Sequence, residues 1–173
     1  VLRAWGRCIG FGVILFLCAA QGAWAETETQ RLYDQGAFLD AASRGEEIGS
    51  IASLVLAARS LIAYGAYLAK PDEQVTVFGS ALDIAARVLV QDPDNLEAHL
   101  QTVNGLGHIS RVQGHVASHF KGYAKTAKKH LKRAKKIAPE NPWVHALYGA
   151  WHAEIAVHAP KLVAFAYYGA SKK

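Results

Sequence analysis

The chain alternates long segments of helical hydrophobic period with short breaks at glycine or proline. Within each segment, apolar residues recur every three or four positions, which places them on one face of a helix. Proline and glycine between the segments mark turns, and no segment alternates apolar and polar residues for long enough to predict a strand. The pattern predicts five long helices, over residues 50–70, 72–91, 95–112, 115–138 and 141–157.

Short turns between long helices favour antiparallel packing of neighbours. The predicted fold class is therefore all-α, an array of about three and a half antiparallel helical hairpins. Hydrophobic residues make up 51% of the chain and charged residues 19%, a balance that supports a buried core. Small residues such as Ala41, Ala81 and Ala134 are expected where helix backbones approach one another closely.

The turns repeat along the chain. The segments ALDIAARVLVQDPDNLEAH (81–99) and AKKHLKRAKKIAPENPWVH (127–145) align without a gap at an offset of 46 residues. In this alignment Asn95 matches Asn141, and each is expected to cap the helix that follows it. His99 and His145 also take equivalent places, which indicates a packing role rather than a ligand role.

On these residues the chain resembles the tetratricopeptide repeat family. The resemblance rests on the two proline turns, DPDN and APEN, and on LYDQGAFLDAA (32–42), which has the spacing of a tight helix-turn-helix. It covers most of residues 28–157 and implies an α-solenoid with a concave binding face. The segment NPWVHALYGAWHAEI, followed by YYGASKK, also looks like a group of exported α-proteobacterial helical-repeat proteins, which implies no activity.

Residues 1–25 are typical of an export signal. Arg3 and Arg7 precede the apolar run CIGFGVILFLCAA, and AWA forms a small-x-small cleavage site ending at Ala25. Cleavage there would remove both cysteines and leave residues 26–173 as one domain without disulfides. An initial valine in a chain without methionine indicates a bacterial GTG start, so the periplasm is the predicted location. The alternative is an inner-membrane anchor formed by residues 8–25.

The C-terminal segment PKLVAFAYYGASKK is predicted to begin a further helix at Pro160. It runs for about three turns at 3.6 residues per turn. No polar capping helix follows it, although repeat arrays need one for solubility. We therefore expect either a truncated array or an aromatic end that a partner or a second copy covers.

The segment KGYAKTAKKHLKRAKKIAPENPW (121–143) holds seven lysines and one arginine before its first acidic residue, Glu140. On a helical wheel it carries an apolar stripe and, on the opposite side, a lysine stripe. The apolar stripe consists of Val116, Phe120, Tyr123, Ala127, Leu131, Ala134 and Ala138. The lysine stripe, the predicted protein-binding surface, consists of Lys121, Lys125, Lys128, Lys132 and Lys135.

Charge is polarised along the chain. Residues 26–97 hold 5 basic and 12 acidic residues, a net charge of −7, whereas residues 98–173 hold 12 basic and 2 acidic residues, a net charge of +10. This polarisation favours an acidic protein partner or the acidic end of a second copy. Nucleic acid is not predicted as a partner, because the basic helix offers only Tyr123 for stacking. Contact with an anionic membrane surface is expected to be loose at most.

Eight histidines raise the question of a metal site. His115 and His119 lie one helical turn apart, and His108 could reach them from across the turn as a third ligand. With no acid or cysteine nearby, the favoured interpretation is that these histidines fill the hairpin. Neither a metal nor a cofactor is predicted.

No catalytic motif is present, and the predicted function is a non-catalytic protein-interaction scaffold exported to the periplasm. One alternative is a periplasmic small-ligand-binding protein that serves a transporter. Its pocket would be lined by Trp143, Tyr148, Trp151 and His152. The other is a hydrolase with an unrecognised site, which would require a strongly perturbed histidine in a cleft.

Overall fold

The structure, a computed structural model, describes residues 27–114, 117–118 and 121–158. These residues form seven helices of at least eight residues and no strand, and residues 117–118 are helical as well. The helices are α1 (27–34), α2 (Phe38–Ile48), α3 (Ile51–Tyr67), α4 (Gln74–Gln91), α5 (Leu96–Gln113), α6 (Tyr123–Ile137) and α7 (Pro142–His158).

Helices that are neighbours in sequence pack side by side from α2 to α7. Helices two apart in sequence also touch, α3 with α5 and α5 with α7. Because the connections are short, consecutive helices run antiparallel. The predicted all-α array of helical hairpins is confirmed.

Side-chain caps begin three of the helices. Ser50 Oγ accepts a hydrogen bond from the Ser53 amide at 3.2 Å, and Asn95 Oδ1 accepts one from the Ala98 amide at 3.0 Å. Asn141 Oδ1 accepts from the Trp143 amide at 2.9 Å. Each cap satisfies an amide that has no partner within its own helix, which stabilises a helix by about 1 kcal/mol. The caps predicted at Asn95 and Asn141 are therefore confirmed.

Small residues allow the helices to approach closely. The three alanines predicted at close contacts, Ala41, Ala81 and Ala134, are all at most 1% exposed. Gly45 of α2 lies against α3, where an added Cβ would be 2.5 Å from the Ser53 carbonyl oxygen and 3.0 Å from Ala57 Cβ. No side chain larger than hydrogen fits at this point without moving a backbone.

The predicted helix over residues 115–138 is interrupted at Gly122. Gly122 has a φ of 70°, in the left-handed region, and α6 starts only at Tyr123. A glycine adopts this conformation without the steric cost that a Cβ would add, so the helix can end there. Lys121 consequently lies in the turn before α6, and the predicted stripes apply only from Tyr123 onwards. Val116 and Phe120 lie outside the described residues.

Two other predicted segments lie outside the described residues, the export signal over residues 1–25 and the helix beginning at Pro160. Within the part of the chain that the structure covers, no helix combines the length and the apolar character needed to span a bilayer.

We predict that Gly45→Ala lowers the free energy of unfolding by about 1–3 kcal/mol, because the added methyl group meets backbone that cannot move away. The matched control is Gly79→Ala in α4, where an added Cβ meets nothing within 4 Å. This control should stabilise the protein by about 0.5–1 kcal/mol, because alanine is the better helix former. Urea unfolding measures both variants, and equal stabilities would contradict the close approach of α2 and α3.

Candidate functional site

Helix α6 is strongly amphipathic, with one apolar face and one basic face. Its buried residues are Ala127, Leu131 and Ala134. Ala127 and Leu131 pack with Val103 of α5 and Trp151 of α7, so the apolar stripe lies between these two helices. The remaining positions are mostly basic, and residues 123–137 contain no acid. The helix is therefore held on one side and displays positive charge on the other.

Three lysines at intervals of seven residues lie over aromatic rings. The Nζ atom is 5.8 Å from the ring centre of Tyr123 for Lys121, 5.4 Å from that of Trp151 for Lys128, and 5.7 Å from that of Tyr148 for Lys135. A cation at this distance is attracted to the negative face of the ring. Lys121 also donates a hydrogen bond to Gln113 Oε1 at 2.9 Å. These three members of the predicted lysine stripe are engaged within the molecule.

Like Lys121 and Lys135, the two other members of the predicted stripe, Lys125 and Lys132, are exposed, but among the described residues no aromatic ring lies under them. Lys129 and Lys136 are exposed beside them, and the four recur at spacings of 4, 3 and 4. We call Lys125, Lys129, Lys132 and Lys136 the lysine row. With a rise of 1.5 Å per residue the row is about 17 Å long. Within the described part of the chain, no hydrogen bond or ion pair engages their side chains.

Sequence reasoning missed Lys129 and Lys136. The lysines of α6 form two overlapping series with the same helical spacing, one at 121, 125, 128, 132 and 135 and the other at 125, 129, 132 and 136. The position of α7 determines which series is free of ring contacts, because Lys128 and Lys135 lie over aromatic rings of α7. Nothing in the periodicity of α6 alone reports where α7 packs.

The opposite edge of α6 is fixed to α5 and to the turn before it. Arg133 forms an ion pair with Asp94, and His130 Nδ1 lies 2.8 Å from His99 Nδ1. His99 Nε2 lies 3.0 Å from the carbonyl oxygen of Pro93. A carbonyl can only accept, so the neutral His99 ring donates from Nε2 and accepts at Nδ1, which requires His130 to donate from Nδ1.

Burial lowers the pKa of both histidines. Burial, followed by the nearby charges of His99 and Lys129, lowers the pKa of His130 to about 4. Burial is also the main cause that lowers the pKa of His99; Arg133 acts in the same direction, whereas the bond to Pro93 and the carboxylates of Asp94 and Asp92 oppose it. A strongly perturbed histidine was the feature required by the hydrolase alternative. Here the strongly perturbed histidine is His130, and the main cause of its lowered pKa is burial beside His99.

The second repeat reproduces half of this arrangement. His145 Nε2 lies 2.7 Å from the carbonyl oxygen of Pro139, as His99 does with Pro93. The proline and the histidine are six residues apart in both turns, and each pair closes the turn around its capping asparagine. The packing role predicted for these equivalent histidines fits His99, which is 6% exposed, whereas His145 is exposed and contacts the turn through Nε2.

Of the candidate metal ligands, only His108 is described. Its ring stacks on Phe78 at a centre-to-centre distance of 4.7 Å, and burial, then Arg111, lowers its pKa. His115 and His119 lie outside the described residues. Among the residues that are described, no three histidine, cysteine or acidic side chains come together as a metal site would require.

The four residues proposed to line a pocket divide into two groups. Trp151 is 7% exposed, and its indole Nε1 donates to the Ala124 carbonyl at 3.0 Å. Tyr148 and His152 contact it and each other through their rings. Trp143 is instead 69% exposed, on another side of α7. Trp151 therefore fills the core, whereas Trp143 belongs to the surface.

Comparison with models of known protein families identifies the family of this chain. The model of the family described as Regulator of microtubule dynamics protein 1-3 matches residues 27–160, which contain α1 to α7 and the lysine row. The chain belongs to this family. A search of the curated proteins finds no significant match.

The tetratricopeptide interpretation was wrong, because the family whose model matches is a different one. The comparison with exported α-proteobacterial repeat proteins formed part of that interpretation and falls with it. The residues on which that interpretation rested lie in turns. There they end one helix and cap the next, as Pro93 and Asn95 do. Every array of helical hairpins needs turns of this kind. The pattern therefore identified the fold and not the family.

We predict that acid weakens the fold through the histidine pair. Between pH 6.5 and about 4 the unfolded chain binds a proton at His130 that the folded chain does not, so the free energy of unfolding falls as the pH falls through this window. Urea unfolding at pH 7 and at pH 5 measures this effect. From pH 7 to pH 5 the free energy of unfolding should fall by on the order of 1 kcal/mol more in the parent than in His130→Asn, a figure that allows for solvent screening. The asparagine amide can still donate to His99 but does not titrate.

If the free energy of unfolding fell equally in the parent and in His130→Asn, the acid sensitivity could not be assigned to His130. His99 can titrate in both proteins, so the difference between them reports His130 together with its coupling to His99.

Proposed function

We propose that this chain is a non-catalytic protein-binding scaffold and that the lysine row of α6 docks an acidic protein segment. The observation that carries the proposal is the row itself, four exposed lysines on one line without an acid on the same helix. Charged helix faces ordinarily interleave acids, which pair with lysines one turn away. Here the like charges repel one another, and an anionic partner would relieve that repulsion.

The geometry favours a helical partner. The lysines recur at spacings of 4, 3 and 4, so they follow one straight line along α6. A partner helix with glutamates or aspartates at the same spacings would present its carboxylates along a matching line. The partner class we propose is therefore an amphipathic segment with one acidic face.

Two other anionic partners fit less well. Nucleic acid bound without sequence preference is held by stacking of bases on aromatic side chains. The nearest rings on this hairpin, Trp151 and Tyr148, already contact Lys128 and Lys135. A membrane surface would attract the lysines, but the apolar residues of α6 are buried against α5 and α7 and cannot enter lipid.

The family supports the protein-binding part of the proposal. Its description names regulators of microtubule dynamics. For this chain we propose only the action on a protein partner. Residues 1–25 predict export to the bacterial periplasm, and that compartment contains no microtubules. The periplasm is accordingly the compartment that we propose for the interaction.

We predict that a glutamate-rich amphipathic peptide binds the chain and that binding weakens as salt is added. Lys132→Glu should weaken binding about fivefold, equivalent to about 1 kcal/mol for one exposed charge. The fourfold variant Lys125→Glu, Lys129→Glu, Lys132→Glu, Lys136→Glu should abolish it. Fluorescence anisotropy of the labelled peptide measures each affinity.

The matched control is Lys70→Glu, which makes the same charge change at an exposed lysine in the connection between α3 and α4. It should leave the affinity within twofold of the parent. Equal weakening by Lys70→Glu and Lys132→Glu would reduce the effect to net charge and contradict a docking site on α6. Binding to anionic vesicles but not to the peptide would favour a membrane surface instead.

A further inference from the structure

Helix α7 carries an exposed apolar stripe on its outer side. Trp143 is 69% exposed and Val157 is 62% exposed, and three exposed alanines lie between them on the same face. The five residues recur at spacings of 3, 4, 3 and 4, as one side of a helix requires. We call Trp143, Ala146, Ala150, Ala153 and Val157 the α7 outer stripe.

The composition of α7 indicates that this stripe is a contact surface. Its inner side buries Val144 and Trp151, and α7 packs chiefly on α6 and α5. Apolar residues nevertheless continue around the helix, and the only acidic residue, Glu154, pairs with Arg111 of α5. The polar residues of α7 are limited to three histidines and this glutamate, and an exposed apolar stripe of this kind typically marks a contact surface.

Helix α2, the second helix of the array, presents a smaller exposed surface of opposite charge. On α2, the residues turned to α3 are Ala41, Ala42 and Gly45. The side facing away from them exposes Leu39, at 48%, together with Asp40, Ser43 and Glu47. One apolar side chain flanked by two carboxylates is thus exposed on α2, and one of these carboxylates, Glu47, also pairs with Arg44 of the same helix at 3.0 Å.

The net charges of the two ends differ in sign. Residues 27–48 hold five acidic and two basic residues, a net charge of −3, and residues 121–158 hold eight basic and two acidic residues, a net charge of +6. Two α7 surfaces brought face to face would join two strongly positive hairpins. The α2 end of one copy and the α7 end of another attract each other instead.

We propose that a second copy of this chain is the partner of the α7 outer stripe, in a head-to-tail contact. The exposed side of α2, with Leu39, covers the stripe, while Asp40 and Glu47 approach the lysines of α6. Because the contact joins two different surfaces, it leaves a free surface at each end and permits further addition.

The contact should be weak and reversible. One helix laid on another buries well below the roughly 1,200 Å² of a standard protein interface. The mean mass of the chain purified from expressing cells should therefore rise with concentration in sedimentation equilibrium, and added salt should lower it.

Two single substitutions test the direction of the contact. Trp143→Asp disables the α7 end and Leu39→Lys disables the α2 end, and neither side chain is part of the core. Each variant alone should remain a monomer, and an equal mixture should form dimers that grow no further. Ala150→Asp is a second α7 variant, which guards against a local effect of removing the tryptophan, and circular dichroism checks the helicity of all three.

Three results would overturn the proposal. A parent that stays monomeric at all concentrations would contradict a second copy as the partner of the stripe. Dimers of Leu39→Lys alone would indicate an α7-to-α7 contact. A mixture that stays monomeric would exclude the pairing of α2 with α7. The peptide affinity of Trp143→Asp separates this inference from the lysine-row proposal, because that variant keeps all four lysines and should bind the peptide as the parent does.

Discussion

The contact on which the basic face depends is the narrow apolar stripe of α6. Three buried residues, Ala127, Leu131 and Ala134, hold the helix between α5 and α7. Two of them are alanines, so the helices can pack closely. Close packing brings Lys128 and Lys135 within reach of the rings of α7 and leaves the remaining lysines on the outer side.

Polar contacts on both edges then fix the rotation of α6 about its own axis. The pair of His99 with His130 and the ion pair of Arg133 with Asp94 tie one edge to α5 and its preceding turn. The lysine contacts with aromatic rings tie the other edge to α7. The lysine row is therefore a property of the packed hairpins, and an isolated α6 would display all of its lysines alike.

Much of this fold follows from the sequence, because its signals are local. The periodicity predicted five of the helices, and the turns predicted the caps at Asn95 and Asn141. The break at Gly122 was missed, because a glycine inside a segment of helical period does not reveal a positive φ. The division of the lysines and the contact of His99 with His130 were missed because both depend on residues distant in sequence. The family was misassigned because turn residues report helix packing and not descent.

The measurement that tests the central claim most directly is the rate of chemical acetylation of each lysine of α6, followed by mass spectrometry with and without the acidic peptide. We predict that the four lysines of the row react fastest and that the peptide protects them, while the rates at Lys128 and Lys135 stay unchanged. Equal reactivity along α6, or protection spread evenly over its lysines, would contradict a docking surface defined by the packing of α7.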